Sequence, residues 1–196
     1  MDKTHLPLFA GRVTIALMPK YIAFLRAINV GGHTVKMDYL RTLFEALGFS
    51  NVETFIASGN VIFDAKSKST RVLEKNIEAF LQEKLGYAVV TFIRSTVEVA
   101  TIAGYEPFNA ADPNAERDVL YIAFLADTPA EKAKQKLLSF ATEDDELHVS
   151  GREVYWRSRK KMSESEFSGA RLEKILGMPA TLRNATTIKR LGSKYP

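Results

Sequence analysis

Apolar residues run almost unbroken from Tyr21 to Ala27, interrupted by Arg26, and the chain then meets Gly31 and Gly32. A short apolar run containing Ile and Phe, closed by glycines, predicts a buried strand. Alternation puts Tyr21, Ala23 and Leu25 on one face and Ile22 and Phe24 on the other, so both faces are apolar. The period then changes. Met37, Leu40, Leu43, Phe44 and Leu47 recur at helical spacing over 36–47, and Gly48 supplies the stop. Two short strands follow, 52–57 and 60–63, around Ser58-Gly59. Val72, Leu73, Ile77, Phe80, Leu81 and Leu85 mark one face of a helix over 70–85 that ends at Gly86, and 87–94 is again strand-like. The order β-α-β-β-α-β is that of a ferredoxin-like unit.

Residues 95–117 break the pattern. Ser95 caps a short helix through 103, and Gly104, Pro107, Asn109, Asp112, Pro113 and Asn114 make a turn-rich connector. The second half then repeats the first. It predicts a strand over 118–125, a helix over 129–140 and a hairpin of 146–149 with 153–157 around Ser150-Gly151. A helix over 167–176, a short strand over 180–182 and one or two helical turns over 186–191 follow. Tyr-Ile-Ala-Phe-Leu opens both halves, at 21–25 and at 121–125. The reading is α+β: two ferredoxin-like (βαββαβ) subdomains in tandem, 21–94 and 118–196. An N-terminal extension (1–20) precedes them, the connector joins them, and a C-terminal helical extension with a basic tail follows. One such unit leaves a sheet face open. An open apolar face needs a cover, either the other subdomain or a second protomer, so a homodimer is among the expected partners.

Composition narrows the chemistry. The chain has 196 residues and no cysteine, which excludes disulfides, thiolate nucleophiles and Cys-ligated zinc. No apolar run approaches 18 residues, so no membrane span is expected, and the short apolar stretch at 13–18 lacks a useful positive n-region and a clear small-residue cleavage site, so no secretory signal is read. The expected setting is the cytoplasm. The net charge of +4 is uneven: residues 150–196 carry +7 and the rest −3. A basic last quarter suits phosphate, nucleic acid or an acidic partner, or is simply a solvated surface.

The loop Asn29-Val30-Gly31-Gly32-His33-Thr34 lies between a predicted strand and helix. Glycines there let N–H groups converge on an anion at a helix N-terminus, with Arg26 and Lys36 on either side. The candidate anion site is therefore Arg26, Asn29, Gly31, Gly32 and Lys36. It is neither a P-loop nor a Rossmann loop, and the alternative is a tight turn that needs positive φ. Arg157, Arg159, Lys160 and Lys161, with Tyr155 and Trp156 beside them, are candidate nucleic-acid contacts; one of the two aromatics is expected in the core and the other outside. Residues 60–63 lack the basic-Gly-aromatic pattern of an RNA-binding sheet. Ser58 and Asn60 read as turn residues. His5, His33 and His148 have no metal-ligand spacing, so no metal is assigned. No carboxylate pair and no serine motif identifies a catalytic residue, and nothing points to a cofactor.

Three segments resemble the DUF1697 family, bacterial proteins of unknown function. They are Arg26-x-x-Asn29-Val30-Gly31-Gly32, Leu47-Gly48-Phe49 and Ser58-Gly59-Asn60-Val61-Ile62-Phe63. Residues 172–191 resemble it too; the family pattern there usually reads Arg-Asn-Trp, and Ala185 stands in the third place here. The resemblance implies two ferredoxin-like subdomains and no assigned reaction. It also implies a start near Met18, with 1–17 a poorly anchored extension. Three functions stay open: a binding module for a phosphate-bearing ligand or nucleic acid, a small-molecule enzyme with His33 as its local titratable group, and a homo-oligomeric structural protein.

Overall fold

A computed structural model describes residues 18–57, 59–108, 118–160, 165 and 167–196. The first half contains β1 (Lys20–Leu25), α1 (Met37–Ala46), β2 (Ser50–Phe55), β3 (Asn60–Asp64), α2 (Thr70–Leu85), β4 (Thr91–Ser95) and α3 (Thr96–Gly104). The second contains β5 (Val119–Leu125), α4 (Glu131–Leu138), β6 (Asp145–Ser150), β7 (Glu153–Ser158), α5 (Gly169–Leu176), β8 (Ala180–Asn184) and α6 (Ala185–Lys194). The strands form two antiparallel sheets, in the orders β2-β3-β1-β4 and β6-β7-β5-β8. The two Tyr-Ile-Ala-Phe-Leu segments occupy the same place in each. Ile22 lies opposite Arg94 and Ile122 opposite Arg183, in matching register.

Each strand face meets a different cover, as the alternation predicts. Tyr21, Ala23 and Leu25 pack with Leu40, Phe44, Leu73, Ile77 and Leu81 beneath α1 and α2. Ala123 and Leu125 pack with Leu137, Trp156, Leu172 and Leu176 beneath α4 and α5. The opposite faces meet each other. Ile22 and Phe24 share one core with Ile122 and Phe124, and Val99 and Ile102 of α3 join Ile188 and Leu191 of α6 in it. Phe24 and Phe124 stack with centroids 4.0 Å apart. Each fully buried Phe contributes about 1.5–3 kcal/mol, and the stacking about 0.5–1.5 kcal/mol more. The faces that called for a second protomer are covered within one chain.

Two buried arginines cross this interface reciprocally. From β4, Arg94 donates from Nη2 to the carbonyls of Leu125 (2.9 Å) and Arg152 (3.3 Å), and from Nε to Glu153 (2.7 Å). From β8, Arg183 donates from Nη2 to the carbonyls of Leu25 (2.9 Å) and Gly59 (3.5 Å), and from Nε to Asn60 Oδ1 (2.6 Å). Arg94 lies against the Phe124 ring and Arg183 against Phe24. Burial pushes the Arg183 guanidinium down to about 10, still cationic at neutral pH.

Several expectations need correction. The helical turns expected over 186–191 are there, in a longer and better packed helix. They belong to the ten-residue α6, whose Ala185, Ile188 and Leu191 are buried. Its partner α3 is some 90 residues away in sequence, and Gly192 packs so closely that a Cβ there would sit 3.0 Å from the Ala103 Cβ. The strand expected over 180–182 extends to Asn184, the α6 N-cap. On α2, Val72 is exposed and Glu74 is buried, because Glu74 accepts the Ile93 N–H at 2.8 Å. Tyr155 and Trp156 are both buried, since β7 is an inner strand with both faces covered. The helix expected over 129–140 is shorter, Glu131–Leu138. The proposed extension lies, through residue 17, outside the described residues. Among the described residues no helix is long and apolar enough to cross a membrane.

The arginine cross-links set a prediction. Glu153→Ala leaves Arg94 buried without its carboxylate and should cost about 3–5 kcal/mol. Arg183→Ala strands Asn60 Oδ1 and the Leu25 carbonyl and should cost about 3 kcal/mol. Urea unfolding measures both; unchanged midpoints would show that the arginines do not hold the halves together.

Candidate functional site

The residues of the first candidate site separate in the structure. Arg26 leaves the end of β1 sideways and donates from Nε and Nη2 to Glu173 of α5, at 2.7 and 2.8 Å. Glu173 also accepts the Ala180 N–H at 2.7 Å. The pair ties the two halves together, and the Glu173 bond raises the Arg26 pKa further. Arg26 lines a shallow depression with Glu173, Lys174 and Met178; Gly32 and Lys36 line another, with His33, Lys84 and Tyr87. Of the five residues expected at an anion site, the structure sets Arg26 apart, paired with a carboxylate of the far half.

The remaining loop residues mostly brace the turn. Asn29 Oδ1 accepts the Val35 N–H at 2.7 Å, and its Nδ2 makes a long 3.5 Å contact with the Ala57 carbonyl. Tyr87 donates to the Ile28 carbonyl at 2.9 Å, and His33 stacks on the Tyr87 ring at 3.8 Å. Gly31 and Gly32 have φ of +70° and +88°, and a Cβ at either would meet open space. Their need is therefore torsional. Neither N–H has an acceptor among the described residues. No carboxylate lines the depression around His33, so the catalytic reading of that histidine finds no partner there among the described residues.

Gly59 has a stricter requirement. A Cβ there would lie 2.7 Å from Ile28 Cγ2, and its carbonyl accepts from Leu25 and Arg183. Asn60 is fully buried, donating to the Phe55 carbonyl while accepting from Arg183. The Gly-Asn pair is a structural corner. Ser58 lies outside the described residues.

The second candidate cluster is neutralised by acids. Arg157 pairs with Glu146 and Asp118, Arg159 with the same two carboxylates, and Lys160 with Asp144. Arg157 also lies 4.9 Å from the Phe108 ring centroid. The described candidate nucleic-acid contacts thus form a salt-bridged edge; Lys161 lies outside the described residues.

Motif reading missed a further cavity among the described residues. A cleft of about 430 Å³ opens between the end of α3, the start of β5 and the first turns of α6. Ile102, Phe108, Leu120, Ile122 and Ala185 make its apolar surface, and Asp118, Arg157, Asn184, Thr186 and Lys189 bring polar groups to it. Lys189 is exposed and stands 4.0 Å from Glu106, a weak surface pair. Thr186 and Lys189 also border a more open groove with Arg190 and Lys194 of α6 and Phe55 of β2. Arg190 lies 5.1 Å from the Phe55 ring centroid, and Lys194 pairs with Glu53 at 2.9 Å. The +7 of the last quarter hinted at this surface, but α6 had no visible partner in the sequence.

Tyr105 lines the cleft and shares a 2.9 Å hydrogen bond with His148 Nε2 on β6. Burial, aided by Lys134, lowers the His148 pKa below its ordinary 6.5. The unfolded chain then takes up the proton before the folded one. Stability should fall as pH drops through 6.5 towards the lower folded value, and the contribution is constant above that window. Thermal melting between pH 8 and 5 should show a shallower acid slope in His148→Gln; an identical slope would rule His148 out.

A family model described as "Protein of unknown function (DUF1697)" matches residues 18–155. No curated protein matches the chain. Among solved structures, the conserved bacterial protein SP0830 from Streptococcus pneumoniae superposes with a TM-score of 0.71, over 91% of this chain and 98% of that one, at 23% identity. That likeness is one of fold. The matched segment contains all three N-terminal motifs, from Arg26 to Phe63, and more than half of the sequence: the chain belongs to the DUF1697 family.

Proposed function

We propose that the protein binds a small phosphate-bearing molecule, with the apolar body in the cleft between α3, β5 and α6 and the phosphate against Thr186, Lys189 and Arg190. The observation that carries this reading is the continuity of the cleft with the basic face of α6 through Thr186 and Lys189. A cavity of about 430 Å³ falls within the size range of small-molecule sites, and its apolar walls with few polar groups match their usual chemistry. The N-terminus of α6, where Asn184 caps the Thr186 N–H at 2.8 Å, adds a favourable dipole for an anion. The same reading takes each half as a ferredoxin-like unit, given its βαββαβ order with β1 and β3, or β5 and β7, at the sheet centre.

A second reading places a small anion at the Gly31–Gly32 turn, where two adjacent N–H groups lack acceptors among the described residues and Lys36 and Lys84 are near.

Calorimetry against nucleoside monophosphates, sugar phosphates and inorganic phosphate tests the first reading. Lys189→Glu should weaken the best binder by roughly ten- to a hundredfold, the worth of a charge-assisted contact. Ala185→Trp should fill the cleft and block organic phosphates while leaving circular dichroism unchanged. Full binding by both variants, or none by the wild type, overturns the proposal. Amide NMR with inorganic phosphate separates the readings: shifts at Gly31 and Gly32 support the second, shifts at Thr186 and Lys189 the first.

A further inference from the structure

The edge strands of the two sheets, β2, β4, β6 and β8, are not alike. On β4 carboxylates take the outward N–H groups: Glu78 accepts from Thr91 at 2.8 Å, Glu74 from Ile93 at 2.8 Å and Glu98 from Ser95 at 2.7 Å. The Ile93 carbonyl accepts from Arg94 Nη1 at 2.9 Å. On β8 Glu173 takes the Ala180 N–H and Arg183 the Leu182 carbonyl. β2 is irregular: its register shifts between Ser50 and Glu53, and Asn51 has φ of +50°. Each device blunts an edge against further strand pairing.

β6 carries no such device along Leu147 and Val149. The strand pairs with β7 in unbroken register, and Ser150 and Glu153 close the turn at Gly151 and Arg152. Ladder bonds alternate along an antiparallel pair. Glu146, His148 and Ser150 therefore turn their main-chain groups to β7, and Asp145, Leu147 and Val149 turn theirs outward. Asp145 agrees with this: its N–H donates to Thr142 Oγ1 at 3.0 Å, and its carbonyl accepts the Thr142 N–H at 2.8 Å. The outward groups of Leu147 and Val149 have no partner among the described residues.

We infer that the β6 edge binds the β6 edge of a second copy, antiparallel, about a twofold axis at His148. In that register Leu147 and Val149 exchange main-chain hydrogen bonds with Val149 and Leu147 of the second copy, and two four-stranded sheets become one. The side chains suit the pairing. The apolar Leu147 and Val149 lie opposite each other's counterparts, beside the core under α4 and α5. Asp144 falls opposite Arg152 of the second copy. These side chains are 43% and 26% exposed, each already paired in its own chain with Lys160 and Glu98, so an acidic end meets a basic one. His148 faces its own counterpart, and burial with Lys134 nearby lowers its pKa, so no like charges meet there at neutral pH. An arbitrary extended peptide matches only the main chain. β6 itself also supplies the apolar row and the opposite charge, so the occupant is a second copy.

Sedimentation equilibrium of the full chain from about 1 µM to about 1 mM covers the range of weak interfaces. The mass should rise with concentration from 21.9 kDa to twice that value. His148→Lys and His148→Glu each set like charges opposite at the axis and should each leave a monomer, and mixing the two chains should restore a dimer of one of each. Hydrogen exchange of the wild type, read by NMR, should find the Leu147 and Val149 amides unprotected when dilute and protected when concentrated. Four results each overturn the inference: a wild type that stays monomeric, even one that takes up an added strand-forming peptide at β6; a dimer that survives both substitutions; a mixture of folded variants that stays monomeric; and amides already protected in the monomer. Melting curves identify a variant that does not fold, and the wild-type exchange pattern then decides alone.

Discussion

The structure depends on two arginines that reach across an apolar interface. Arg94 and Arg183 start from equivalent edge strands and grip equivalent carbonyls, those of Leu125 and Leu25, on the opposite sheet. A planar guanidinium with five donors can satisfy a strand-end carbonyl, a turn carbonyl and a side chain at once; an ammonium cannot match that fork. The hydrogen bonds fix where one sheet sits on the other. The stacked Phe24 and Phe124 then supply the apolar contact at the centre.

The two grips are alike in geometry and unlike in charge. Arg94 meets the Glu153 carboxylate, whereas Arg183 meets the neutral Asn60. A buried ion pair has to recover a large desolvation cost, and the second grip recovers it with neutral acceptors alone. This explains why Gly59 and Asn60 carry such strict demands. Their backbone and side chain are the socket for a residue 123 positions away.

Covering the sheets in this way also determines where a cleft can form. The helix-free faces are occupied by each other and by α3 and α6, so neither sheet face is bare among the described residues. What remains is the margin where α3 ends, β5 begins and α6 starts. Small and apolar side chains there, Ala103 and Ala185 among them, leave volume beside a buried Asp118 and an exposed row of cations. The loop with the most suggestive residue types also shapes a corner, with Asn29 and Tyr87 bracing it.

The sequence by itself determined the order of the elements, the two faces of each Tyr-Ile-Ala-Phe-Leu strand and the equivalence of the halves. Local periodicity, glycine stops and the Ser95 cap encode these within a few residues, and a period of two assigns faces without knowledge of the partner. Only the tertiary structure decided that Arg26 belongs to Glu173, that Arg157 and Arg159 are matched by Asp118 and Glu146, and that α6 is core. Charges attract whatever the fold brings near, and a ten-residue helix is stable only against a partner, so neither outcome is written in local spacing. The cleft was illegible for the same reason: its walls come from 102–108, 118–122 and 184–189, and a cavity is a property of their packing, not of any one segment.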